Sequence, residues 1–306
     1  MKALITGSNG LLGSALRNNL GKGHIYHQRS HCDLLDTQEV NWYFSSLNAI
    51  RNPDTLIHCA AKVGGVQANM NDNSGFFLKN ITMDSNVARC AIIHNLKNVV
   101  TILSTCVFPD KAIYPLTADQ IDNGAPHPSN HGYSYAKRLL YYSTKYSREV
   151  TGNNWISIIP NNVYGENDNF NLENGHLVPA LIRKGYEASV YEKDFVVWGD
   201  GTSLRQFIYA DDLAKIILWA IDNWKSDVPM MTINETEYSI KEVVDIIANR
   251  FKINQERIKY DITKPKGQFR KPAKSDVPKD FQFTTLEEGI NKTIDWYLEN
   301  KDIIRK

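Results

Sequence analysis

Two rhythms of apolar residues alternate along the first half of the chain. Short runs at 2–6, 54–61, 99–103 and 155–160 are rich in β-branched or aliphatic side chains and bounded by turn formers, the pattern of buried strands, and 24–28 reads as a further strand between the first two. Between them, apolar positions recur every three or four residues: LLGSALRNNL after the first strand, about 76 to 95 after the third, and YSYAKRLLYYSTKYSREV before the fifth. Strands alternating with helices of this length predict parallel βαβ units and hence an α/β fold built on a doubly wound parallel sheet.

Past residue 160 the pattern loosens. The stretch 166–178 is polar and loop-like, Trp198-Gly199-Asp200-Gly201-Thr202 reads as a tight turn, and 205–209 as a strand leading into the helix LAKIILWAIDNW. A short strand MMTIN, a helix KEVVDIIANRF capped by Ser239, a Lys- and Pro-rich extended segment at 261–280 and a last helix from about 285 to 300 complete the chain. With 306 residues, the expectation is a large domain at 1–163 plus about 206–228, and a smaller mixed α/β C-terminal lobe at 164–205 and 229–306 that takes the substrate.

Composition narrows the classes. With 35 Lys and Arg against 34 Asp and Glu, the chain has no general attraction for nucleic acid. No apolar run approaches the roughly 18 residues a membrane helix needs, and MKALITG enters a strand directly, without a signal-peptide core. The four cysteines show neither metal-ligand spacing nor a disulfide framework, so a cytoplasmic enzyme with reduced thiols is expected, and Cys59 and Cys90 read as packing residues.

Chemistry enters first at Gly7-Ser8-Asn9-Gly10-Leu11-Leu12-Gly13. This GxxGxxG lies between a strand and a helix, the context of a dinucleotide loop in a Rossmann-type domain. Gly7 serves the turn, Gly10 lets backbone approach a pyrophosphate, Gly13 lets the helix pack on the strand, and the helix start at Leu11 and Leu12 offers free N–H groups. At the end of the second strand Arg29 suits the 2′-phosphate of NADP, which favours NADPH; Asp33 is the counter-indication, although its position fits the adenine better than the ribose.

A second cluster follows the strand at 99–103. Ser104 and Cys106 sit at its carboxyl end, the edge where open parallel sheets bind ligands. Tyr133 and Lys137 are one helical turn apart on the next helix, and the expectation is that the ammonium lowers the phenol pKa. Tyr135 lacks that relation and reads as a packing residue; Asn80 and Asn86 read as surface or capping residues.

Glycine loop, strand-end Ser and helical Tyr and Lys, in that order, make the chain resemble the extended short-chain dehydrogenase/reductase family. Longer stretches carry the resemblance over nearly the whole length: AAKVGG at 60–65, LSTCVFPDK at 103–111, YSYAK at 133–137, NVYGENDNFNLENGHLVPALI at 162–182 and VVWGDGTSLRQFIYADDLA at 196–214. These are similar to its bifunctional nucleotide-sugar epimerase/reductases. The resemblance implies a GDP-linked 4-keto-6-deoxy sugar as substrate, Cys106 and His176 as an epimerising acid/base pair, and Ser104, Tyr133 and Lys137 as the reducing set. It further implies Asn162, Val163 and His176 near the nicotinamide, and Arg183, Lys184, Trp198 and Arg205 facing the nucleotide sugar. Lys266, Arg270 and Lys271 are candidates for a diphosphate, and a homodimer through the helices at about 76–95 and 133–150 is expected by analogy. A related GDP-linked keto-deoxy hexose or heptose is the alternative substrate. A non-catalytic dinucleotide sensor is disfavoured, because Ser104, Cys106, Tyr133, Lys137 and His176 are all retained.

Overall fold

Strands too apolar to face water on either side end up as the middle layer of a sandwich. The computed structural model describes residues 1–263 and 269–304. Its first half runs β1 (Ala3–Thr6), α1 (Leu11–Leu20), β2 (Ile25–Tyr26), α2 (Thr37–Ile50), β3 (Thr55–His58), α3 (Val66–Asn71), α4 (Asn73–Ile93), β4 (Asn98–Ile102), α5 (His131–Thr151) and β5 (Asn154–Pro160). The second half runs β6 (Asn162–Tyr164), α6 (Leu177–Val190), β7 (Phe195–Trp198), β8 (Leu204–Tyr209), α7 (Ala210–Asn223), β9 (Met230–Thr232), β10 (Glu237–Ser239), α8 (Ile240–Phe251), β11 (Ile258–Asp261) and α9 (Leu286–Asn300).

Six strands form a parallel sheet in the order β2-β1-β3-β4-β5-β9. Alternation along each strand sends side chains to opposite layers. Ala3, Ile5, Ile57 and Val100 meet Leu16 of α1 and Leu213 and Ile217 of α7, whereas Leu4, Leu56 and Val99 meet Phe44 of α2 and Val87 and Ala91 of α4. Because β2 and β3 leave β1 in opposite directions, the order reverses there, and a crevice opens beyond the carboxyl ends of β1 and β3.

The smaller lobe has its own core. Leu181 and Ile182 of α6, Val243, Val244 and Ile247 of α8, and Ile290 and Ile294 of α9 close around Phe195 and Phe207. Two small sheets line it, β10-β8-β6 and β11-β7. Ser239 caps α8 with the expected reciprocal bond to Glu242.

Three details depart from the sequence expectation. The strand at 24–28 shortens to Ile25–Tyr26, since only Leu4 and Ile5 of β1 remain to pair with it at the sheet's edge. Met230–Thr232, placed with the smaller lobe, instead pairs with Ile158–Pro160 of β5, because the crossover through α7 returns the chain to the open sheet edge. Tyr135 is exposed rather than packed inside. Among the described residues no helix is long and apolar enough to cross a membrane.

Candidate active site

The glycine loop closes over the end of β1. Gly7 has φ +65, and a Cβ there would stand 2.7 Å from the Ala60 amide nitrogen. At Gly13 a Cβ would stand 2.2 Å from the Gly7 carbonyl oxygen, so helix and loop touch through backbone alone. Gly10 caps α1 without a side-chain acceptor, which leaves the first-turn N–H groups facing outward for an anion. Ser8 fastens the loop to β2, its hydroxyl donating to the His27 carbonyl at 2.7 Å, while Arg17 donates to Ser8 Oγ at 3.0 Å and Asn9 Oδ1 at 2.8 Å. A pyrophosphate fits this cradle: the backbone donors are present, and the space a side chain would fill is kept clear.

Beyond β2 a groove of about 480 Å³ is lined by Arg29, His31, Asp33, Glu39 and Trp42. Arg29 reaches Asp33 at 2.8 Å, with its side chain 81% exposed. Burial alone would raise the Asp33 carboxyl. The Leu35 amide and the Arg29 guanidinium outweigh it and hold Asp33 below its ordinary value.

At the end of β4, Ser104 starts a single 3-10 turn, Thr105–Val107, and its Oγ accepts the Cys106 amide at 3.2 Å. Tyr133 comes to the same place from the first turn of α5, its ring edge-on to Phe76 at 6.4 Å. Burial pushes its phenol well above the ordinary tyrosine range, and the nearby Cys106 and Asp84 add to this; the Ser104 hydroxyl works the other way. Lys137 is only 3% exposed, with Nζ 5.9 Å from the Tyr133 ring centroid. The expected lowering of the phenol by Lys137 is therefore corrected: desolvation dominates, and Tyr133 keeps its proton at neutral pH. Cys59, just past the end of β3, is pushed up to about 12 by burial, which fits a packing thiol.

The loop after β3 forms the next wall. Asn80 is fully buried on α4 and brackets it: Oδ1 accepts the Lys62 amide at 2.8 Å, and Nδ2 donates to the Lys62 carbonyl at 3.0 Å. Asn80 and Asn86, expected at the surface or as caps, are both buried struts, Asn86 donating to the Leu34 carbonyl at 3.0 Å. A further buried chain was missed, in which His58 joins Thr6 Oγ1 at 2.7 Å to Asp84 Oδ1 at 2.9 Å. One signal was available for Asn80, its place four residues after Phe76 on the helical face that points inward.

His176 arrives from the smaller lobe. Its residue caps α6, and the loop before it is pinned where the Gly65 amide donates to the Asn174 carbonyl at 3.0 Å. A Cβ on Gly64 would touch Phe76 at 3.1 Å, so the loop carrying His176 and the ring beside Tyr133 share one patch of wall. The imidazole Nδ1 lies 3.6 Å from Asp168 Oδ1.

Cations of the smaller lobe complete the surroundings. Lys271 Nζ donates to the Thr105 carbonyl at 3.0 Å; burial lowers its pKa, and the neighbouring Cys106 and Asp110 oppose that. Arg205, lowered by burial, donates to the Leu204 carbonyl at 2.7 Å and adds to the field around Lys271. Lys184 stands 4.8 Å over the Trp198 ring, and its pKa is lowered by burial against the pull of Asp261. Arg183 pairs with Glu187 on its own helix at 2.8 Å. Arg270 is held by Glu237 across β10. Asn162 donates to the Gln206 carbonyl at 2.7 Å, and Val163 is half-buried against the sheet core. Lys266 lies outside the described residues.

A doubly wound sheet with a glycine cradle at its crevice defines a dinucleotide-binding α/β enzyme. The chain belongs to the NAD dependent epimerase/dehydratase family, whose model matches residues 3–234. Over 316 residues it is 36% identical to the GDP-L-fucose synthase of Dictyostelium discoideum, covering 99% of this chain and 97% of that one. It is likewise 36% identical to the probable GDP-L-fucose synthase of Drosophila melanogaster, over 100% and 99% of the two chains. The crystal structure of a GDP-L-fucose synthetase from Naegleria fowleri bound to NADP superposes with a TM-score of 0.92 at 36% identity, over 99% of this chain and 94% of that one.

Proposed function

We propose that the protein is an NADPH-dependent 3,5-epimerase and 4-reductase that converts GDP-4-dehydro-6-deoxy-D-mannose to GDP-L-fucose. The observation that carries the reading is one turn of backbone bearing both Ser104 and Cys106 beside the Tyr133 phenol, in a chain alike end to end to GDP-L-fucose synthases. Gly7, Gly10, Leu11, Leu12 and Gly13 hold the pyrophosphate, Arg29 and Asp33 the adenosine end, and Lys137, Asn162 and Val163 the nicotinamide side. NADPH, when bound, supplies the hydride for C4.

The C4 ketone makes the protons on C3 and C5 acidic. Of Cys106 and His176, one removes such a proton and the other returns one to the opposite face of the ring, first at one carbon and then at the other. Ser104 and Tyr133 steady the oxygen that gains charge in each step. Reduction follows, with Tyr133 giving its proton to the C4 oxygen. Epimerisation must come first, since the alcohol no longer acidifies its neighbours. Lys184, Trp198, Arg205 and Lys271 receive the GDP portion, with Arg205 offering its planar fork to the diphosphate and Arg183 supporting the same face.

The GDP-L-colitose synthase of Yersinia pseudotuberculosis is 31% identical over 99% of this chain, so a different GDP-linked keto-deoxy sugar is the second reading. Offering both sugars with NADPH and assigning the products by NMR decides between them. Consumption of the colitose precursor alone would overturn the first reading.

The assembly we infer is a homodimer. Phe77 of α4 and Tyr135 and Leu139 of α5 line an apolar surface groove of about 430 Å³, and Tyr146 further along α5 is 55% exposed. A cytoplasmic location is inferred from four unpaired cysteines, one of which must stay a thiol to act.

A further inference from the structure

Asp168 is a carboxylate that the fold hides, at 4% exposure, in the loop ahead of His176. Its Oδ1 accepts the Asn169 amide at 2.7 Å and lies 3.6 Å from Nδ1 of His176. Its Oδ2 is buried with no hydrogen-bond partner among the described residues. An ionised carboxylate withdrawn from water is strongly unfavourable unless something charged or donating faces it, and the group that faces this one is the imidazole. His176 in turn is the cap residue of α6, which fixes its backbone at the end of that helix.

Resting on the reading of His176 as half of the epimerising pair, we propose that Asp168 is its positioning residue. The carboxylate accepts a hydrogen bond from Nδ1–H and fixes that tautomer. Nε2 is thereby left as the nitrogen that exchanges protons with the sugar, and the ring is stabilised while it carries the extra proton. Asp168 itself gives and takes no proton. The 3.6 Å separation closes with a small turn of either side chain, as catalytic hydrogen bonds commonly do when substrate binds.

The test begins with the unaltered full-length protein labelled with 15N-histidine, whose His176 signals are assigned by their loss in His176→Asn. The neutral ring should carry its proton on Nδ1; a neutral ring protonated on Nε2 overturns the proposal. Asp168→Asn keeps the Oδ1 acceptor, so its fold and NADPH affinity should persist while the negative charge beside the ring is lost; Asp168→Ala removes the acceptor as well, and in that variant the Nδ1 tautomer should be lost. In D2O with NADPH and the 4-keto sugar, the turnover of Asp168→Asn should fall about 100-fold with KM nearly unchanged, because proton transfer and not binding is affected. Turnover of Asp168→Asn within about twofold of the parent, or an unshifted tautomer in Asp168→Ala, overturns the proposal. Should the parent protein leave that sugar untouched, the functional reading fails by itself, and the tautomer measurement still decides the role of Asp168.

Discussion

The Cys106 amide donates to the Ser104 hydroxyl oxygen at 3.2 Å, so the groups assigned to epimerisation and to reduction ride on one turn at the end of β4. Lys271 grips the Thr105 carbonyl of that turn from the smaller lobe. Any displacement of the turn therefore moves thiol and serine together, which is why the two chemistries must be separated by side-chain changes that leave the backbone alone.

Cys106→Ser is such a change, since the amide that bonds Ser104 is retained. Deuterium incorporation from D2O at C3 and C5 should fall by about 100-fold or more, with NADPH affinity kept, because a hydroxyl is a far weaker base than a thiolate. Exchange at the parent rate would leave Cys106 with a packing role only.

Tyr133→Phe removes the proton donor but not the Phe76 contact. Loss of NADPH absorbance with substrate should slow by about 100- to 10,000-fold, while exchange at C3 or C5 in D2O continues, since Cys106 and His176 remain. A variant that reduces the ketone at the parent rate would show that another group delivers the proton.

Much of this was written in the order of residues. The glycine loop and the Ser104, Tyr133 and Lys137 series were legible because each depends on local spacing within a strand end or a helical turn. What stayed hidden depends on partners distant in sequence. Asn80 is a strut only because Lys62 folds back over α4, and Lys271, already a candidate in the sequence, meets the Thr105 carbonyl only because an extended segment returns to the end of β4. Desolvation of Tyr133 is of the same kind: spacing shows a lysine nearby, but the packing around the phenol, which outweighs it, exists only in three dimensions.

Arg29 bears on cofactor choice. It is exposed and already paired with Asp33, so its contribution to a 2′-phosphate is screened. Arg29→Ala should raise the KM for NADPH about tenfold and leave that for NADH within about twofold. Equal effects on both cofactors would move the phosphate site elsewhere.

Leu139 lies on the apolar groove of α4 and α5, at 49% exposure. Leu139→Glu places a charge that is hydrated in a monomer and desolvated in a seam between copies. Light scattering should then report half the mass of the parent protein, with the circular dichroism spectrum unchanged. A parent protein that is itself monomeric, or a variant of unchanged mass, would remove this face as the interface.

The central claim is that one pocket inverts two carbons before it reduces the ketone between them. Purified protein, NADPH and GDP-4-dehydro-6-deoxy-D-mannose in D2O, followed by NMR, address it directly. The product should be GDP-L-fucose with solvent deuterium at C3 and C5 and protium at C4 from the cofactor. A reduced sugar with protium still at C3 and C5 and its original configuration there would contradict it.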